Sequence, residues 1–372
     1  MKRRSLLWGG SAVAVAGVCG TWSSLAASAS VVRFGQSASL TGGQAGYGRD
    51  VRDGIAAAFA AASKTSGTRF ELVTLDDGGV RSRTAQNVAT LIDLGVTGLI
   101  GLTSGAGAEA CIPAVEKAQI ALLGTASGNM GIRADGVSSA FHVRAGYDLE
   151  YQRMVAYARD FGMRRIGVVY LEDTSKANLD AMNLSLHSMS ITPKVSVGID
   201  RNMSSFDAVS AKLLEAKLDF VLFTANAAPV SAIIDQMTAA RYPGLFYASS
   251  FAGQDLVDAL VAKKQSCVMS MVVPRPNATT FSVVNRCQQD LAALGGARMG
   301  MTTLEGYIAG RIAVEAALNV LKNGSMTRPK LRESLAALRA DVGGYKVEFG
   351  GGTQGSKYVD LVAIDRYGRM VG

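Results

Sequence analysis

The sequence predicts an α/β protein with parallel sheets, arranged in about two domains, and three observations carry that prediction. From Val31 onward, short apolar runs alternate with amphipathic stretches. The alternation starts afresh after Arg144, as though one set of strands and helices were followed by a second. The chain has 372 residues, and at roughly 150 residues per domain that allows two hydrophobic cores.

In chain order, the first run predicts strands over 31–36, 70–75, 98–102 and 121–124, with helices over 51–62, 84–94 and 109–118 between them. A short strand over 141–144 closes that run. The second run predicts strands over 165–170, 194–197, 220–224, 245–249 and 268–273. Its helices fall over 149–161, 177–187, 206–216, 230–240 and 256–262. Beyond 273 the character changes to helices over 281–294, 304–322 and 331–338, then strands over 345–349 and 358–364. No Pro/Ser-rich linker divides the halves, as expected of a chain that passes between its domains more than once.

The first 29 residues stand apart. Lys2, Arg3 and Arg4 precede an apolar run over 6–18, and Ala27-Ser28-Ala29 offers small residues to a signal peptidase. The run is shorter than the ~20 apolar residues of a membrane span. Val18 before Cys19 departs from a lipoprotein signal, and Arg3-Arg4 leaves general or twin-arginine export open. An exported protein is expected.

Composition removes several function classes. Net charge is +8 without any Lys/Arg block, which argues against nucleic acid as a partner. Two His and four scattered Cys have no metal-ligand spacing, so no metal is expected. Cys111, Cys267 and Cys287 follow the leader and allow at most one internal pair, Cys267 with Cys287, or three small buried residues.

Enzymatic motifs are missing too. The stretch from Thr41 to Gly48 follows the first strand, but its glycines do not match G-x-G-x-x-G, and no P-loop exists. It reads instead as a loop letting a small ligand approach the backbone. There is no G-x-S-x-G elbow. His142 falls in a predicted strand and His187 near a helix end, positions usual for structural or solvent-facing histidines. Asp76-Asp77 and Glu172-Asp173 follow strands, where carboxylates more often accept loop N–H bonds than do chemistry. The chain is therefore not expected to be an enzyme, and no cofactor is expected.

Two polar loops are more telling. Thr103-Ser104-Gly105 and Gly124-Thr125-Ala126-Ser127-Gly128 follow the third and fourth strands, and open α/β sheets bind ligands beyond the carboxyl ends of their strands. Hydroxyls and free N–H groups there suit a carboxylate, although the same residues also suit helix N-caps.

The stretch Phe34-Gly35-Gln36-Ser37-Ala38-Ser39-Leu40-Thr41-Gly42, followed by Tyr47-Gly48, resembles the start of the leucine/isoleucine/valine-binding family of periplasmic proteins. So do Glu71-Leu72-Val73 before Asp76-Asp77, Gly98-Leu99-Ile100-Gly101, Arg164 to Tyr170, and Leu304-Glu305-Gly306-Tyr307-Ile308-Ala309. The resemblance implies a type I periplasmic-binding-protein fold: two doubly wound parallel-sheet lobes joined by a three-crossover hinge. Lobe one would take 31–144 and 275–356, and lobe two 145–274 and 357–372. It further implies a monomer delivering a small ligand to an ABC-type permease and its ATPase in the periplasm. A sensor of the same fold, docking on a chemoreceptor or kinase, is the alternative.

By the same resemblance, Thr41, Tyr47, Ser104, Gly105, Ala126 and Ser127 line the ligand cleft from lobe one, and Ser175, Asn226, Ser250 and Phe251 from lobe two. The acid that pairs with an amino acid's ammonium would fall near Ser249-Ser250-Phe251, where no carboxylate stands. An unpaired buried ammonium is costly. The expected ligand is thus a carboxylate without an ammonium, or a neutral amide, unless Asp173 or Glu305 takes the role.

Overall fold

A computed structural model describes residues 30–201 and 203–372; the export signal read over 1–29 lies outside them. Strands β1 (Ser30–Ala38), β2 (Thr68–Asp76), β3 (Gly98–Ile100), β4 (Leu122–Leu123) and β5 (Ala140–Phe141) form a first sheet, ordered β2-β1-β3-β4-β5 and parallel throughout. Helices α1 (Ala45–Thr65), α2 (Arg81–Asp93) and α3 (Gly105–Lys117) connect its strands. The central β3 is buried along its whole length, which is why it reads as an unbroken apolar run rather than an alternating one.

The second sheet repeats the plan. After α4 (Tyr147–Asp160) come β6 (Ile166–Leu171), α5 (Lys176–Ser188), β7 (Val195–Ile199), α6 (Asp207–Glu215), β8 (Phe220–Thr224), α7 (Ala227–Ala239), β9 (Leu245–Ala248), α8 (Gly253–Ala262) and β10 (Cys267–Met271). These strands run parallel in the order β7-β6-β8-β9-β10. The chain then returns to the first lobe through α9 (Ser282–Ala293), α10 (Met301–Lys322), α11 (Arg328–Ala336) and the small hairpin β11 (Arg339–Asp341) and β12 (Lys346–Glu348). It crosses a third time to add β13 (Asp360–Ile364) antiparallel to β10, with β14 (Met370–Val371) outside it. Both parallel sets thus have the 2-1-3-4-5 order of a doubly wound fold.

The first core depends on α1 and α10 lying almost backbone to backbone. A Cβ on Gly54 would stand 2.0 Å from the Thr303 carbonyl oxygen, and one on Gly306 only 2.2 Å from that of Val51. Glycine is required there for space.

Several helix starts precede the sequence expectation: α1 begins at Ala45, α3 at Gly105 and α8 at Gly253. The first turns of α1 and α3 are Gly- and Ala-rich and α8 opens on Gly253-Gln254-Asp255, so no apolar periodicity announces them. The Thr41–Gly48 loop is corrected accordingly. Gly48 is already helical, and its Cβ would meet the Ser39 carbonyl oxygen at 1.9 Å; the glycine serves helix-to-loop packing. The hairpin strand β11 and edge strand β14 are too short to show in the sequence.

Among the described residues, Cys111, Cys267 and Cys287 are free and buried. Cys287 sits in the first-lobe core and Cys267 in that of the second, so they do not pair. Burial, with Asp77 nearby, pushes the Cys111 thiol up to about 11. Asp76 accepts the Leu40 and Gly78 amides (2.8 and 2.9 Å) and the Thr41 hydroxyl (2.6 Å), while Asp77 takes the Ser37 and Ser39 hydroxyls. The pair organises the loop after β1. His142 is buried beside the Ile132 carbonyl oxygen at 3.1 Å, and burial holds its pKa well below the ordinary value.

Candidate functional site

The carboxyl ends of the two sheets face one another across a cleft of about 530 Å³, counting its mouth. From the first lobe, Gln44, the opening turn of α3 and the loop after β4 line it. From the second, Tyr147 and Tyr151 on α4, the loop after β6, Thr224 at the end of β8, and Ser249 and Phe251 after β9 line it.

Ser104 caps α3, its Oγ accepting the Gly107 amide at 3.0 Å. Gly105 and Ala106 form the helix's first turn at the cavity, where amides lack intrahelical acceptors and the dipole favours an anion. A side chain on Gly105 would intrude: its Cβ would lie 2.5 Å from Ser127 Oγ. Ser127 Oγ accepts the Asn129 amide and lies 3.3 Å from the Tyr147 hydroxyl. The Asn129 side-chain amide donates to the Gly105 carbonyl (2.9 Å) and to Glu109 (3.0 Å), tying the two loops together.

Aromatic rings make the apolar wall. Tyr147 and Tyr151 stack at 5.8 Å, and Phe251 meets Tyr147 edge-on at 6.5 Å. Burial pushes the Tyr147 phenol up to about 12, despite Arg144 nearby. Direct bonds cross between the lobes at the cleft: Ser175 Oγ donates to Glu109 (3.2 Å), the Met130 amide to Asn178 (2.7 Å), and Arg201 to Gln44 (3.4 Å).

Ser104, Gly105, Ser127, Ser175 and Phe251 therefore line the cavity. Five other expected positions do not. Thr41 is occupied by Asp76. Tyr47 is buried behind Phe251, its hydroxyl donating to the Ala126 carbonyl at 2.8 Å, and Ala126 is covered in turn. Asn226 is buried outside the lining. Ser250 points away, into a cluster of charges.

That cluster was hidden from sequence reasoning. Glu150, fully buried, accepts the Ser250 amide and hydroxyl (both 2.9 Å) and the Ser270 hydroxyl. Arg144, 2% exposed, donates to Glu150 at 2.5 Å, to Ser250 Oγ at 2.6 Å and to Glu305 at 3.2 Å. Burial alone would lower the Arg144 pKa; Glu305 and Glu150 raise it instead. A carboxylate does stand near Ser249-Ser250-Phe251, supplied from α4, but it is turned inward and matched by arginine. One signal was available: Glu150 interrupts the buried stripe Tyr147, Tyr151, Met154 of α4. Asp173 lines the cavity and is held by Arg201 at 2.7 Å, and Glu305 lies outside the lining.

A family model described as periplasmic binding protein matches residues 31–359.

The chain belongs to the periplasmic binding protein family.

A search of curated proteins found no match. Among solved structures, this periplasmic binding protein is similar to a possible leucine/isoleucine/valine-binding protein from Rhodopirellula baltica, with 25% identity, 93% of this chain and 97% of that one covered, and a TM-score of 0.85. A branched-chain amino acid ABC transporter protein from Thermus thermophilus with bound valine has 14% identity, 92% and 95% coverage, and a TM-score of 0.84. A fatty acid ABC transporter substrate-binding protein from Thermomonospora curvata has 16% identity, 92% and 91% coverage, and a TM-score of 0.82. The last two share the fold, which is the type I periplasmic-binding-protein fold. No described helix is long and apolar enough to cross a membrane.

Proposed function

We propose that this protein is the solute-binding component of an ABC importer and captures a small carboxylate lacking an α-ammonium. The lobes would be 31–144 with 275–356, and 145–274 with 357–372. The protein would be exported through its N-terminal segment, work as a monomer, and hand its ligand to a permease driven by an ATPase, without catalysing a reaction.

One observation carries the ligand class: the acid in the cleft lining and the two buried behind it are held by arginines, and Glu109 at its edge, outside the lining, is engaged by Asn129 and Ser175. Asp173 is paired with Arg201, and Glu150 and Glu305 share Arg144. A buried ammonium would thus find no carboxylate free of other partners, and the hydroxyls that remain compensate a charge poorly. An anion meets the α3 N-terminus and Ser127, and an apolar or flat body meets Tyr147, Tyr151 and Phe251.

A thermal-shift panel of aliphatic and aromatic acids, leucine, isoleucine and valine tests this. Ligand at ~100 times its Kd stabilises the protein by about 2.7 kcal/mol, an easily read shift. The organic acids are expected to give the larger shifts. Tight leucine binding with no response to the acids would overturn the ligand class and leave the transport role intact.

A further inference from the structure

Ser249 directly follows β9, is 1% exposed, and lines the cleft. Its Oγ has no hydrogen-bond partner. Buried hydroxyls are nearly always bonded, so an orphan at a binding cavity points to a partner supplied from outside the chain.

The other polar side chains of the wall are engaged. Ser104 caps α3, Ser127 holds Asn129, Ser175 reaches Glu109, and Asn178 bonds both Met130 and Thr174. Among the described lining residues, Ser249 alone carries a buried side-chain oxygen without a partner. Its backbone is fixed, because its amide donates to the Phe223 carbonyl at 2.9 Å and the next residue is locked to Glu150.

We infer that Ser249 is the residue that reads a hydroxyl at the end of the ligand remote from its carboxylate, making the ligand class hydroxylated aromatic acids. The inference rests on the carboxylate reading above. The anion's donors lie on the first lobe and Ser249 on the second, with the aromatic wall of Tyr147, Tyr151 and Phe251 in the same cavity. A serine hydroxyl both donates and accepts, which matches a phenol. The far group is not an anion, since Glu150 and Glu305 behind Ser249 share a single guanidinium, and a phenol brings a donor there without a negative charge. Discrimination follows from the same orphan: a ligand without the hydroxyl leaves Ser249 dry and unpaired, and sites built to bond a hydroxyl strongly reject analogues lacking it.

Calorimetric titration of the mature chain with matched pairs tests this: benzoate and 4-hydroxybenzoate, phenylacetate and 4-hydroxyphenylacetate, cinnamate and 4-hydroxycinnamate. The hydroxylated member of the best pair is expected to bind at least about tenfold more tightly, the range of one hydrogen bond to a buried partner. Ser249→Ala removes no bond within the protein. In that variant the preference is expected to fall below about threefold, because the hydroxylated acid loses its partner and the parent acid no longer strands a hydroxyl. Equal affinity within every pair, or a preference surviving Ser249→Ala, overturns the inference and leaves the carboxylate reading standing. Failure of all six acids beside tight leucine binding overturns both.

Discussion

Arg144 and Glu305 meet at 3.2 Å at the junction of the lobes: one stands where the chain first crosses over, and the other lies on α10 of the first lobe. The same guanidinium holds Glu150 of the second lobe at 2.5 Å. The two carboxylates are not equivalent. Glu150 is fully buried and also anchors Ser250 and Ser270, whereas Glu305 is 12% exposed and has only the arginine. Glu150→Ala should cost roughly 3–5 kcal/mol, because it strands a buried charge and three donors. Glu305→Gln should cost about 1 kcal/mol. Urea denaturation measures both, and equal losses would refute this division of roles.

Gly306→Val should destabilise by about 1–3 kcal/mol or more, since its Cβ has no room beside the Val51 carbonyl. The α1–α10 packing would have to spread, and far-UV thermal melts would record a lower Tm. An unchanged Tm would mean the helices are not held as closely as described.

Arg298 bridges the lobes at the surface, bonding Asp50 on α1 at 2.7 Å and Asp255 on α8 at 2.8 Å, with Asp258 beside it. Asp50 is only 8% exposed, but the pairs to Asp255 and Asp258 that span the lobes are open to solvent at both ends, contribute only about 0–1 kcal/mol and are screened by salt. Arg298→Ala should therefore weaken binding of the preferred acid about two- to fivefold at low ionic strength and hardly at all at high. A loss independent of salt would point to packing instead.

His142 is buried neutral, its pKa depressed by burial and by Arg133. The unfolded chain binds this proton more readily, so stability is complete above the unfolded pKa of about 6.5 and declines as pH falls below it. In His142→Asn the slope of stability against pH between about 6.5 and 5 should flatten. Parallel slopes for variant and parent would exclude His142 as the source.

Much of the architecture was legible because it is local. Apolar runs such as Phe220–Thr224 mark strands buried on both faces, and α4, α5 and α9 keep enough periodicity to be placed within a few residues. The loop holding Ser104 and the loop holding Ser127 could be picked out because each follows a short apolar strand. Where helices open on small residues, as at Ala45 and Gly105, the pattern begins only after the first turn.

The sequence by itself determined that this is an α/β chain repeating one strand-and-helix plan, with hydroxyl-bearing loops at the ends of its strands. Only the tertiary structure decided which polar groups are already satisfied. Glu150 and Ser250 are 100 residues apart in sequence yet bonded in the fold, and Ser249, their neighbour, is left with an unmatched hydroxyl. Periodicity reports that a face is buried. What it is buried against depends on contacts between distant segments, and in a cleft between two lobes those contacts separate a satisfied residue from one that faces a ligand.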